Sequence, residues 1–313
     1  MTAPLRMNPP DKPILVIGGY GYRNVGDDAI LAGLLEQLGT DQVTVVSRAP
    51  AETAARFGVR AVGILGAIGA LRRHRSVVIG GGGLFGRDMG LVGRLLPLFG
   101  LFAHASGREV ALIGIGIDRR IGGFAGWGMR NLARRATTVV VRDRESAAVL
   151  AGSGITATVQ PDLSTHARSA GRIGGLRALR AAGLDPARRP VVGLAITAVN
   201  QALVEPLVGA IAQVVDELPS VDFCLIPMSR HPFVAAHNDV LLARRLVNLR
   251  PRLRMLETDD PASVLGVFEA LSAAVCMRYH SLLFADRAGT PIVPSSSAWA
   301  RERDSASPRS TMS

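Results

Sequence analysis

Residues 14–31 read Ile-Leu-Val-Ile-Gly-Gly-Tyr-Gly-Tyr-Arg-Asn-Val-Gly-Asp-Asp-Ala-Ile-Leu, and the fold is decided by this stretch. Four apolar, largely β-branched residues (Ile14–Ile17) lead into a glycine-rich turn. An apolar periodicity then starts at Ala29 and Ile30 and continues through Leu34, Leu35 and Leu38. This is a buried strand feeding a tight turn that opens a helix. Such a corner aims backbone N–H groups and the positive end of the helix at an anion above the strand's C-terminal end. The spacing is neither that of a dinucleotide fingerprint nor that of a Walker loop, which ends in Gly-Lys-Ser/Thr. Asn24, Gly26 and Asp27 instead make an Asn-x-Gly-Asp element. Asp27 reads either as the helix cap or as a group facing a substrate.

Outward from this corner the same alternation repeats along the chain. Strand candidates are 13–18, 42–47, 76–80, 109–115, 137–142, 191–197, 221–226, 273–277 and 291–294, and helix patterns are 28–38, 88–104, 124–135, 144–151, 201–217, 234–249 and 261–270. Strands without a polar face, alternating with helices, predict parallel sheets covered on both sides. The polar, glycine-rich stretch 160–175 breaks the rhythm. The expected division is therefore an N-terminal domain over 12–165, a C-terminal domain over 176–294, and a disordered Ser/Arg/Pro tail over 295–313. Two Rossmann-like parallel-sheet α/β domains facing across a cleft resemble the glycosyltransferase-B arrangement. In open α/β sheets ligands gather at the C-terminal strand ends, which here carry the polar loops.

Composition narrows the class. The chain has 313 residues, 48% hydrophobic and only 4% aromatic, with a net charge of +11. Lys12 is the only lysine, and the arginines are scattered without a basic block or interleaved aromatics. That pattern argues against nucleic-acid binding and leaves contact with an anionic membrane surface open. Cys224 and Cys276 lie in apolar runs and read as buried, reduced thiols with neither metal nor disulfide spacing. Residues 1–13 lack an apolar signal core, and no run of about 18 apolar residues occurs. The expectation is a cytoplasmic protein, working at or near the inner face of the membrane, whose oligomeric state is open.

Five motifs occur in a fixed order: Asn24–Asp27, the tetraglycine Gly80–Gly83, Arg-Asp-Arg-Glu-Ser at 142–146, Pro161-Asp162, and Met277-Arg278-Tyr279-His280. In that order the chain resembles the polysaccharide pyruvyl transferase family over roughly residues 14–293. The resemblance implies transfer of an enolpyruvyl unit from phosphoenolpyruvate to hydroxyls of a cell-surface glycan or lipid-linked saccharide, usually as a cyclic ketal. It implies no cofactor and no metal, phosphoenolpyruvate being the donor substrate. Family members continue beyond the equivalent of Pro294 with a Tyr-x-x-Lys-like element that 295–313 lack, so turnover is expected to be weaker than donor binding.

Enolpyruvyl transfer needs cationic forks for a compact polyanion, a general acid for the methylene carbon and a base for the hydroxyl. His280, at a strand-to-helix corner, is the candidate acid, and Asp27 the candidate base. Arg278, a strand-end arginine in need of an anionic partner, is assigned to the donor. Asn24, Gly26, Gly81, Gly82, Gly83, Arg87 and His231 complete the candidate donor or substrate contacts. Arg142 and Arg144 flank Asp143 and read as ion-pair partners at a helix start. His74, His104, His166 and His237 belong to no constellation and read as surface or helix-face residues. Two alternatives stay open: a nucleotide-sugar glycosyltransferase, disfavoured by the scarcity of aromatics, and a non-catalytic homologue in a polysaccharide locus.

Overall fold

A computed structural model of the chain describes residues 10–85 and 91–294. The strands are β1 (Ile14–Ile17), β2 (Val43–Val46), β3 (Arg60–Val62), β4 (Ser76–Phe85), β5 (Glu109–Ile117), β6 (Thr138–Val141), β7 (Thr158–Val159), β8 (Val191–Ala195), β9 (Asp222–Leu225), β10 (Arg254–Met255), β11 (Ala273–Cys276) and β12 (Ile292–Pro294). The helices are α1 (Val25–Leu38), α2 (Pro50–Phe57), α3 (Ala67–Leu71), α4 (Leu91–Ala105), α5 (Gly123–Ala133), α6 (Arg144–Ala151), α7 (Gly171–Ala181), α8 (Val204–Glu217), α9 (Asp239–Leu249), α10 (Pro261–Ala270) and α11 (Tyr279–Ala288). Contacts divide the chain into two compact units, residues 10–21 with 30–167 and residues 22–29 with 168–294. The turn segment 22–29, which chain order puts in the N-terminal domain, is thus grouped with the C-terminal unit. The expected disordered tail lies outside the described residues.

The N-terminal unit holds a sheet in the order β3-β2-β1-β4-β5-β6-β7, and every pairing in it is parallel. Alternate residues of β1 feed opposite faces: Leu15 and Ile17 enter one core, Ile14 and Val16 the other. Both sets are buried, which is why the strand shows no polar alternation. Helix α1 covers one face through Ile30, Leu31, Leu34, Leu35 and Leu38. Leu96 and Ala103 of α4, with Met129 and Leu132 of α5, cover the other. Each fully buried aliphatic side chain of this kind contributes about 1.5–3 kcal/mol.

The C-terminal unit repeats the plan with the order β10-β9-β8-β11-β12, again all parallel. The order reverses between β8 and β11, and between β1 and β4 in the other unit. Those reversals are where open α/β sheets leave a crevice at their carboxyl ends. Helix α7 occupies part of the stretch read from sequence as the interdomain break. Its Gly175 packs on the Gly266 backbone of α10 so closely that a Cβ would overlap the Gly266 carbonyl. Cys224 and Cys276 are buried thiols, and desolvation pushes Cys224 up to about 12. His74 departs from the expected surface position. It is buried, with its ring nitrogens against Ala70 O (2.6 Å) and Thr44 Oγ1 (3.0 Å), because a carbonyl acceptor and a hydroxyl able to donate satisfy both nitrogens of the imidazole inside.

Candidate functional site

In the C-terminal unit the turn 22–29 is tied to the loop after β9 by backbone bonds. Val25 N donates to Met228 O (2.9 Å) and Arg230 N to Arg23 O (2.9 Å), forming an antiparallel bridge between Asn24 and Ser229. Arg23 takes a left-handed backbone (φ 55°), a conformation that costs a non-glycine residue energy and marks an over-determined turn. Its guanidinium reaches Asp259 Oδ2 through Nε at 3.0 Å and Nη2 at 2.8 Å. Arg230 Nε lies 3.9 Å from the same oxygen, and its Nη2 donates to Leu256 O and Glu257 O. Burial holds the Arg230 guanidinium below its usual value.

Asn24, rather than Asp27, caps α1. Its Oδ1 accepts from Gly26 N at 3.0 Å and its carbonyl from Asp28 N at 2.9 Å. An Asx side chain at that position reaches the second N–H of the helix, which places Asp27 one residue further into the first turn. Asp27 is half-buried there, beside the buried Asp28 at the positive end of the helix.

His280 is the second residue of α11, following β11 at the sheet's order reversal. It packs against Gly26 so closely that a Cβ on Gly26 would overlap its Nδ1 and Cγ. The Asn24–Asp27 and Arg278–His280 motifs, distant in sequence, therefore meet ring against Cα. The His280 Nε2 is buried, and the Tyr279 ring stands edge-on to the imidazole at 5.4 Å. Gly26→Ala should add up to about 1 kcal/mol of helix propensity in α1. The same methyl group must displace His280, and turnover should fall about 100-fold. A steady-state assay with a parallel thermal melt checks this; unchanged turnover would show that His280 can move without consequence.

Arg278 departs from its sequence assignment. Its Nε and Nη2 form a two-pronged pair with Asp239 at 2.7 and 2.6 Å, so the partner predicted to be a substrate anion is a protein carboxylate. Asp239 is only 2% exposed, and its Oδ2 also accepts from Ser229 N (3.0 Å). Burial pushes the Asp239 carboxyl above the ordinary carboxylate value, while the Arg278 guanidinium pulls it back. Asp239 was missed because an aspartate opening a helix after Asn238 is ordinary in sequence. A closed circuit results. Asn24 bridges to Ser229, Ser229 bonds Asp239, Asp239 pairs with Arg278, and the corner after Arg278 carries His280 back onto Gly26.

His231 joins this cluster through Tyr22, with the two rings stacked at 5.2 Å and 17°. Its Nδ1 accepts from Phe233 N (3.2 Å) and Val234 N (3.0 Å), which leaves the proton of the neutral ring on Nε2. Burial, then the neighbouring His237, hold the His231 imidazole below its usual value. Tyr22 carried no sequence signal beyond its place in the turn.

Within the N-terminal unit the tetraglycine is part of β4 itself, not a loop beyond it. Gly81 (φ 79°) and Gly82 (φ 76°) are left-handed, and a Cβ on Gly81 would overlap Ile30 Cγ2. Tyr20 Oη donates to Gly80 O at 2.9 Å. Close packing thus accounts for Gly81. Gly83 is exposed, with Arg142 Nη2 at 3.8 Å from the position of a Cβ. Arg142 lies 3.4 Å from Asp143 and 3.7 Å from the buried Asp162. Asp143 also caps α6 through Ser146 N (2.7 Å). Arg87 lies outside the described residues. No helix among the described residues is long and apolar enough to cross a membrane.

Two all-parallel sheets, each reversing order beside its first strand, define a Rossmann-like α/β protein of the glycosyltransferase-B type. The same architecture is seen in three solved structures. Anabaena HepE in complex with UDP-glucose has TM-score 0.57 and 13% identity, with 92% of this chain and 82% of that one covered. S. aureus MnaA with UDP has TM-score 0.58 and 13% identity, covering 90% and 78%. E. coli ADP-heptose LPS heptosyltransferase II has TM-score 0.50 and 17% identity, covering 91% and 84%. At these identities the likeness is one of fold. The chain belongs to the polysaccharide pyruvyl transferase family, whose sequence model matches residues 24–297. No curated protein matches it in sequence.

Proposed function

We propose that the protein transfers pyruvyl from phosphoenolpyruvate to two hydroxyls of a cell-surface glycan or lipid-linked saccharide, forming a ketal. The observation that carries this reading is the packing of His280 onto Gly26, the residue before Asp27 in the first turn of α1. In the first step His280 gives a proton to the donor's methylene carbon, while an acceptor hydroxyl loses its proton to Asp27 and bonds to C2. In the second step a neighbouring hydroxyl gives its proton to the now neutral His280 and displaces the phosphate, which takes the proton held by Asp27 and leaves as inorganic phosphate, and the ketal closes. The donor's phosphate and carboxylate, and the negative charge that builds on the departing phosphate, are met by the N–H groups opening α11 and by the neutral Nε2–H of His231. Arg278, already paired with Asp239, acts as a positioning residue for this corner.

Donor choice is tested by thermal stabilisation of the intact chain. Phosphoenolpyruvate should stabilise it saturably, by about 2.7 kcal/mol at a hundred times its Kd. UDP-sugars should have no such effect. Stabilisation by UDP-sugars and not by phosphoenolpyruvate would replace this reading with a nucleotide-sugar transferase. Indifference to both would leave the non-catalytic homologue.

A further inference from the structure

The N-terminal unit carries a feature that pyruvyl transfer does not use. Helices α4 and α5 lie side by side on one face of the sheet, Pro97 against Gly128 and Leu132 against the Cα of Gly100. Their inward residues (Leu96, Ala103, Met129, Leu132) belong to a single core, so their outward faces form a continuous surface. That surface is apolar. Leu95 and Phe102, seven residues apart on one stripe of α4, are 47% and 53% exposed. On α5, Phe124 and Trp127 stack at 5.7 Å while remaining 60% and 50% exposed. In a chain with 4% aromatic residues, two stacked rings held in solvent are a concentration that folding of the unit does not explain.

Within the two helices the charges are of one sign, while the exposed Asp118 and the partly exposed Glu145 lie beside them. Neither α4 nor α5 contains an aspartate or glutamate. Arg94, Arg120, Arg130 and Arg134 lie on or beside the two helices, and among the described residues none of their guanidiniums forms an ion pair with a carboxylate, although Arg120 N donates to Asp118 Oδ1 at 2.8 Å. Arg119 differs, pairing with Glu145 at 2.9 Å. A protein partner for this surface would need carboxylates placed to meet these guanidiniums. Exposed aromatics flanked by unpaired arginines instead match a bilayer interface, where rings sit at headgroup level and cations meet anionic lipid.

We infer that the outer face of α4 and α5 is a docking surface for an anionic phospholipid bilayer. This goes beyond the transfer reaction and stands independently of it, because the test contains neither donor nor glycan. The full chain is sedimented with vesicles of phosphatidylcholine alone, or with about 30% phosphatidylglycerol. It should partition onto the anionic vesicles, and raising salt should weaken that binding. Phe124→Ser with Trp127→Ser should lower the partition coefficient about tenfold or more without altering the thermal melt. Arg94→Glu with Arg120→Glu should act in the same direction, and this pair carries the test if the aromatic variant fails to fold. Failure to bind, equal binding to neutral vesicles, or unchanged partition of the variants would each overturn the inference. So would a concentration-dependent dimer, seen by analytical ultracentrifugation, that the aromatic substitutions abolish in place of vesicle binding.

Discussion

His280→Ala is expected to lower kcat for pyruvyl transfer by about two to four orders of magnitude while leaving phosphoenolpyruvate binding largely intact. The imidazole packs on Gly26 of the Asn24–Asp27 turn, and it sits at the order reversal of its sheet. Loss of a general acid appears in turnover, whereas loss of a binding fork appears in donor affinity. Calorimetry with phosphoenolpyruvate beside a turnover assay separates the two, and a variant with unchanged kcat would remove His280 from the mechanism. A mutant cycle sharpens the result. If Gly26→Ala acts only by displacing the ring, it should add no further loss in the His280→Ala background. The two substitutions would then be strongly non-additive, as expected of residues in contact.

Asp239→Ala is the substitution expected to cost the most stability, about 3–5 kcal/mol. Asp239 is almost wholly enclosed and neutralises a guanidinium whose side chain is only 19% exposed. Removing the carboxylate strands that charge and also leaves Ser229 N without its acceptor. Urea unfolding of the intact chain should show a lower midpoint, and a loss under about 1 kcal/mol would mean that solvent readily replaces the carboxylate. Asp239→Asn keeps an acceptor for Ser229 N but not the charge, so it should fall between the two. Because Ser229 also holds Asn24, the surviving folded protein should show impaired turnover even though Asp239 touches no reacting atom.

Much of this organisation was legible in the chain. The strands 14–17, 43–46, 191–195 and 273–276, with helices such as 144–151 and 261–270, follow from apolar runs and helical periodicity. The pieces that were not legible have two physical causes, shortness and glycine content. Strands β3, β7 and β10 span two or three residues, too few for any periodicity to register. Helix α7 was hidden by Gly171, Gly174 and Gly175, residues of poor helix propensity. Gly175 is retained there because α7 approaches the backbone of α10. The tetraglycine reads as a loop for the same reason, although Ile30 packs over it inside β4.

The candidate site divides in the same way. Sequence alone determined that a glycine-rich strand-to-helix turn exists, that His280 opens a helix after a strand, and that Arg278 needs an anion. Each of these depends only on neighbours along the chain. Which anion Arg278 meets, which residue caps α1, and that Gly26 lies against His280 were decided by tertiary structure alone. Those outcomes depend on groups far apart in the chain being brought within bonding distance. A guanidinium taken from water binds the nearest carboxylate that the packed fold presents, and here that carboxylate is Asp239.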